Sequence, residues 1–367
     1  MLFTLNATLQ QVTDKFHSID FPEVDVRNFT IISDKTLPHL AQSSQIYEDY
    51  DKQCEFEDDA EGVRAIFDNA GYLTYLAYLK NVSVSASYSI SCVGYYYDDQ
   101  GHRHVPSQKC DEISTYATPL FLQHGFADES CYPSNLNITE QCPDQCINND
   151  TITLKPNNNT DLGAFIALNK SAIEAKILML RYGTFIMTYQ YSPYDFFDFT
   201  KKFDKDSSVL YVKNKSKSNI QYNSLRQTSI INKQHQQRQK RKTLKEYAQE
   251  IKDNKINNTQ PSNDESLFPF VVTVYGYGER SVKQGDAGDN FWLVKGEREL
   301  FTIDEKPLGT FYRVAIQDEL YTNSSIDATF FARSKTLPAS GTWSIRGIQW
   351  RSNFMITMFL TLVVLFV

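Results

Sequence analysis

Positive charge is in short supply in this chain. Across 367 residues, 37 Lys and Arg stand against 44 Asp and Glu, a net charge of −7. That balance argues against a general nucleic-acid binder, which needs cations to meet phosphates. The local exception is RQKRK at 238–242. It lies in a polar stretch and reads as a solvated insertion; a nucleic-acid or processing site is the competing reading. The opening MLFTLNATLQ has neither a basic n-region nor an apolar core of about 7–15 residues, so no signal peptide is expected there. Nor does any cysteine lie beyond residue 146.

The cysteines that are present are Cys54, Cys92, Cys110, Cys131, Cys142 and Cys146. An even, clustered set points to disulfides. Zinc needs closely spaced ligand pairs. Only Cys142 and Cys146 offer one, with no histidine near them, so no metal and no cofactor is expected. HRH at 102–104 reads as a loop. Ten N-x-S/T sequons, at Asn6, Asn28, Asn81, Asn137, Asn149, Asn158, Asn169, Asn214, Asn257 and Asn323, join the cysteines in favouring the secretory route. The far end agrees. FMITMFLTLVVLFV (354–367) is apolar or Thr throughout, and as a helix would span about 21 Å, short of the ~30 Å hydrocarbon layer. ASGT (339–342) and a polar spacer (343–353) precede it, the order of a GPI-attachment signal, with a short tail anchor as the alternative.

Periodicity predicts a helix over 58–80, with Asp58, Asp59 and Glu61 at its start and Val63, Ile66, Phe67, Ala70, Leu73 and Ala77 forming its apolar stripe. A second helix is expected over 114–124, ending at Gly125. A third starts at Ser171, whose partner Glu174 completes a capping box, and stops at Gly183. Its expected buried face is Ile173, Ile177 and Leu180. Strands are predicted at 183–191, 268–278, 290–296 and 309–317, from aromatic and β-branched runs set off by Gly, Pro and Asp. FVVTVYGYGE (270–279) reads as a strand broken by Gly276-Tyr277-Gly278. Helices then strands imply an α+β architecture with two lobes. Residues 201–266, rich in Lys, Asn, Gln and Ser, read as a low-complexity insertion with at most a short helix near 242–252.

The order of these motifs resembles the papain-like cysteine peptidases, most nearly their cathepsin C branch. FPEVDVRN (21–28) resembles the start of the mature fold, and VRAIFDNAGYLTYLAYLKN (63–81) the central helix after the catalytic Cys. ISC (90–92), KC (109–110) and FLQHGFADESCYP (121–133) resemble the elements that follow. AIEAKILMLRYGTFIMTYQYSPYDFFDF (172–199) resembles the opening of the β lobe, and VVTVYGYGE with NFWLVK the strands that carry the catalytic His and Asn. The resemblance implies a two-lobe fold, with a helical lobe built on the central helix and an antiparallel, barrel-like β lobe. Its domains would be an N-terminal extension (1–20), a papain-like domain (21–335) interrupted by 201–266, a stalk (336–353) and a hydrophobic tail (354–367). It also implies the bridges Cys54–Cys110, Cys92–Cys142 and Cys131–Cys146, where sequence alone allows 15 connectivities. Neither an exclusion domain nor a full inhibitory prosegment is expected ahead of residue 21.

The family's chemistry needs a thiolate, an imidazole and an orienting amide. At the corresponding positions stand Arg64, Phe270 and Gly296. The paired glycines of the substrate strand are replaced by Cys110-Asp111-Glu112-Ile113, and the Trp that shields the amide is lost in GERE (296–299). In the simpler reading Phe270 packs on the central helix and Arg64 pairs with Glu61 or Glu112; in the sharper one Arg64 lines a pocket for an acidic ligand. The expectation is a pseudoprotease, not an enzyme: a binding or structural protein at the cell surface or on a secretory or endolysosomal membrane, on its extracytoplasmic side. It would present the old cleft rim or the insertion to a protein partner. The alternatives are an active endo- or dipeptidyl peptidase, and a decoy that sequesters protease inhibitors or substrates.

Overall fold

A computed structural model describes residues 3–5, 8–19, 28–33, 36, 40, 57–93, 96–97, 103–104, 122, 125–133, 142–143, 145–147, 162–191, 193–201, 203–204, 209–210, 249, 252, 268–279, 290–316 and 326–335. In chain order the elements are β1 (Phe3–Leu5), α1 (Leu9–Lys15), β2 (Phe16–His17), β3 (Phe29–Thr30), α2 (Glu57–Tyr78), α3 (Ala86–Val93), β4 (Tyr96–Tyr97) and β5 (Arg103–His104). They continue with β6 (Leu162–Lys170), α4 (Ala172–Tyr182), β7 (Phe185–Tyr191), α5 (Pro193–Lys201), β8 (Val209–Leu210), β9 (Phe268–Glu279), β10 (Asn290–Phe301), β11 (Pro307–Ala315) and β12 (Ile326–Ser334). The architecture is α+β. One mixed ten-stranded sheet runs β1-β6-β12-β7-β9-β10-β11-β8, with β2 added to β12 and β3 to β9. The chain divides into two units, Met1–Thr336 and Leu337–Val367, and the second lies wholly outside the described residues.

Alternation along the central strands gives the sheet two distinct faces. In the β7–β9 register Ile186 stands opposite Thr273 and Phe185 opposite Val274. Ile186, Ala164 and Phe331 pack with Ala65, Ile66, Phe67, Ala70 and Leu73 of α2. The other face is aromatic: Phe185 meets Trp292 edge-on at 5.6 Å between ring centroids, and Phe165 stacks on Phe330 at 5.0 Å. Fully burying each such ring contributes about 1.5–3 kcal/mol. A separate cluster of Tyr88, Cys92, Ala127 and Cys146 surrounds the disulfides Cys92–Cys142 and Cys131–Cys146. Cys54 and Cys110 lie outside the described residues, as do all of the expected helix at 114–124 but Leu122, the stretch FPEVDVR and the tail 354–367. No helix among the described residues is long and apolar enough to cross a membrane.

Two expectations are corrected. Helix α4 begins as expected: Ser171 Oγ accepts from Glu174 N, and the Glu174 carboxylate accepts from Ser171 N. That carboxylate is held below its ordinary pKa, chiefly by the Ser171 backbone hydrogen bond. Its buried side, however, is Ala172, Ala175, Leu178, Met179 and Tyr182, while Ile173 is 60% and Ile177 38% exposed. Small Ala172 and Ala175 let the helix settle onto the sheet on their own side, which turns the two Ile about the helix axis toward water. The second correction concerns Gly276 and Gly278, which do not end β9. The strand runs on to Glu279, and β3 pairs across Gly276 and Tyr277.

Gly276 is where β3 comes closest. A Cβ there would lie 2.5 Å from the Phe29 carbonyl oxygen and 3.2 Å from Thr30 Cα, both backbone atoms that cannot step aside. Gly276→Ala is therefore expected to lower stability by about 1–3 kcal/mol, read as a lower denaturant midpoint at unchanged slope. An unchanged midpoint would show that β3 does not hold this approach.

Candidate functional site

Helix α2 carries Arg64, Asp68, Asn69 and Tyr72 among the apolar residues that pack it on the sheet. Opposite them, β9 presents Thr273, and β10 presents Lys295 and Glu297, two residues apart and so on one strand face. The Lys295 ammonium is salt-bridged to Asp68 Oδ2 and lies 3.3 Å from Glu297 Oε2. Asn69 Nδ2 donates to the Ala65 carbonyl at 2.8 Å and to Thr273 Oγ1 at 2.7 Å, and the Thr273 hydroxyl donates to Glu297 Oε1 at 3.2 Å. Arg64 Nη1 donates to the Glu297 backbone carbonyl at 3.1 Å.

These charges are taken out of water. Asp68 and Lys295 are each 4% exposed and Glu297 5%. Burial alone would lower the Lys295 pKa, but the Asp68 and Glu297 carboxylates outweigh it and hold it well above its ordinary value. Burial pushes the Glu297 carboxyl up to about 7; Lys295 pulls it back and Asp68 adds to the rise. Burial likewise raises the Tyr72 phenol far above its ordinary range. In such a site the ammonium stays charged at neutral pH. It neutralises carboxylates and is a poor proton carrier.

The positions expected from sequence fall differently. Arg64 belongs to this cluster. Gly296 sits between Lys295 and Glu297 and pairs with Val272, so it lies on the strand between two residues that face α2. Phe270 is on the other face of β9 from Thr273: it is 1% exposed, with its ring stacked on Tyr189 at 6.3 Å and tilted against Phe196 of α5 at 5.7 Å. The structure thus brings Arg64 and the Gly296 segment together, and it turns Phe270 into the aromatic core. Glu61 and Glu112 lie outside the described side chains. Sequence reasoning missed Asp68, Asn69, Thr273, Lys295 and Glu297. Their signal was there in polar residues breaking an apolar stripe on α2 and an apolar run in NFWLVKGE.

Among the described residues, no group of three or more His, Cys, Asp or Glu is placed to hold a metal ion, and none of the cysteines is free. Of the ten sequon asparagines, Asn28 and Asn81 are described and exposed. Asn28 Oδ1 accepts from Glu279 N at 3.2 Å. Asn169 lies within β6, its side chain outside the described set, and the other seven are outside the described residues.

No family model matches the chain, and no curated protein matches it in sequence. Solved structures to which it is similar include SERA5E from Plasmodium falciparum, at 13% identity and TM-score 0.43, covering 82% of this chain and 91% of that one. Others are a proCathepsin B from Trypanosoma congolense, at 13% identity and TM-score 0.42 (91% and 87% covered), and a digestive procathepsin L 3 from Tenebrio molitor larval midgut, at 12% and 0.39 (87% and 75% covered). At these identities and scores they assign no residue a role.

Removing one partner from a buried ion cluster leaves charge uncompensated, whereas removing all of them does not. Lys295→Met is expected to cost about 3–5 kcal/mol in urea unfolding. Adding Asp68→Leu and Glu297→Leu to it should recover most of that loss. A single variant as stable as the wild type would show that Lys295 does not neutralise the cluster.

Proposed function

We propose that this chain is a catalytically inactive relative of the papain-like cysteine peptidases, nearest the cathepsin C branch, acting as a binding or structural protein outside the cytoplasm. The observation that carries the reading is what stands between α2 and the strands β9 and β10. The resemblance implies a thiolate on the helix and an imidazole and an amide on the strands. Arg64, Asp68 and Asn69 on the helix side meet Thr273, Lys295 and Glu297 on the strand side. None of these groups supplies a sulfur or an imidazole. Phe270 does not supply one either, whichever face of β9 the family's histidine uses. Thr273 has a hydroxyl, yet it is fully buried and already donating to Glu297. A substrate carbonyl has no way to reach it.

The compartment follows from the cysteines. Cys92–Cys142 and Cys131–Cys146 fit an oxidising, extracellular or secretory-pathway setting. The tail 354–367 and its spacer support lipid attachment at the membrane, and the polar insertion 201–266 offers a long surface to a protein partner.

Two measurements test this. The full chain, incubated with a thiol-reactive epoxide peptide beside an active papain-like enzyme, is expected to remain unlabelled. A covalent adduct on Cys54 or Cys110 would overturn the inactive reading. Phosphatidylinositol-specific phospholipase C is expected to release the protein from intact cells. Full retention after treatment would replace the lipid anchor with a tail anchor.

A further inference from the structure

We infer that Asn81 carries an N-linked sugar chain whose first residues lie over Leu79, the exposed apolar tip at the end of α2. The inference rests on the extracytoplasmic setting proposed above.

The chain leaves α2 by an abrupt reversal. Leu79 N donates to the Tyr75 carbonyl at 2.8 Å, and Leu79 takes φ 56°, the left-handed conformation in which many helices stop. The chain then runs back beside the helix it has left. A Cβ added at Gly71, earlier on α2, would lie 2.9 Å from the Val82 carbonyl oxygen. Further on, the Ser83 carbonyl accepts from Glu129 N, and Val84 pairs with Asp128. Both sides of the reversal are fastened, and residues 78–81 form its tip.

A bare leucine suits this tip badly. A residue with a Cβ is strained at such a φ, and Gly or Asn is the usual occupant. Burial does not compensate, because Leu79 is 81% and Tyr78 37% exposed. Arg333 sits over the Tyr78 ring, 5.3 Å from its centroid, while Leu79 meets water.

Beside this leucine stands a glycosylation acceptor. Asn81-Val82-Ser83 is a sequon, and Asn81 is exposed. Even a fully extended chain keeps the Cα atoms of residues two apart within about 7 Å, so a sugar on Asn81 Nδ2 reaches Leu79. The C–H face of the sugar ring packs on the apolar side chain and its hydroxyls turn to water. The donor is an oligosaccharide linked to a lipid diphosphate. Asn81 Nδ2 attacks its anomeric carbon: the C–N bond forms, the sugar–phosphate C–O bond breaks, the amide gives up one proton, and the lipid diphosphate leaves with the electron pair. Asn28, the other described sequon asparagine that is exposed, is placed differently. Its Oδ1 accepts from Glu279 N, and its neighbour Phe29 already packs against the core.

The test starts with the full chain made through the secretory route of a eukaryotic cell. Its peptides are treated in heavy-oxygen water with an amidase that converts each glycosylated Asn to labelled Asp. The peptide spanning Asn81 is expected to be labelled almost completely. An unlabelled Asn81 beside other labelled sequons would overturn this inference and leave the compartment standing; no label on any sequon would overturn both. The covering role is read by urea unfolding of Leu79→Gly, made in the glycosylated chain and in Asn81→Gln. Gly relieves the backbone strain in both. Without the sugar, the ratio of folded to unfolded chain should rise about fivefold. With it, the gain should be clearly smaller, because the sugar loses its apolar seat. Equal gains would overturn the covering role. If Asn81→Gln is not recovered folded, enzymatic removal of the sugars from the folded wild type and from Leu79→Gly supplies the bare pair.

Discussion

The contact on which the rest of the structure depends is the buried pairing of Lys295 with Asp68, supported by Glu297. An ammonium this far from water is tolerable only if carboxylates meet it, since an isolated buried charge costs several kcal/mol. That requirement fixes the relation between α2 and β10. Asp68 must lie over the middle of β10, so the helix can neither rotate nor slide without separating the pair. Asn69 strengthens the constraint by reaching Thr273 on β9, which ties one helical turn to two adjacent strands. The apolar packing of Ile66, Phe67, Ala70 and Leu73 supplies the bulk of the attraction. The polar cluster supplies the register.

The same cluster makes this interface a holding contact, with charges and hydrogen bonds that cross from the helix to two strands. Between α2 and the strands β9 and β10, buried polar side chains are turned on one another. Thr273, Glu297, Asn69 and Arg64 each spend hydrogen bonds inward. The other face of β9, where Phe270 lies, is packed with rings from β7 and α5.

What the sequence disclosed and what it concealed divide along physical lines. The cap at Ser171 was legible because a capping box is local: two side chains and two backbone groups within four residues. The strands β7, β9, β10 and β11 were legible as aromatic, β-branched runs bounded by turn residues. Helix α2 was legible from its stripe. By contrast β6 and β12 lie between other strands and are buried on both faces, so they show little of the alternation that marks a half-exposed strand. The outward turn of Ile173 and Ile177 was hidden because hydrophobicity alone ranks them above Ala172 and Ala175, and only the close approach of the helix reverses that order. The face of Phe270 was hidden for a related reason. The family resemblance places a residue along a strand, but the side on which it emerges depends on register, and a slip of one position inverts it. Lys295 was readable as an oddity in an apolar run, yet its partner on α2 is 227 residues distant, and no local pattern links them.

The position of β12 has a consequence for how the molecule is made. This strand comes last in the chain among the described strands, yet it sits between β6 and β7, and its end also receives β2. A ribosome must release every strand from β1 to β11 before β12 can enter the sheet. Until then β6 and β7 each offer an unfilled edge, a state that invites the wrong neighbour. Sealing the sheet therefore waits on the most distant contacts in the sequence, and such topologies assemble slowly. Truncation or stalling just short of Ile326 would leave a gap within the sheet, between β6 and β7, and not a frayed margin.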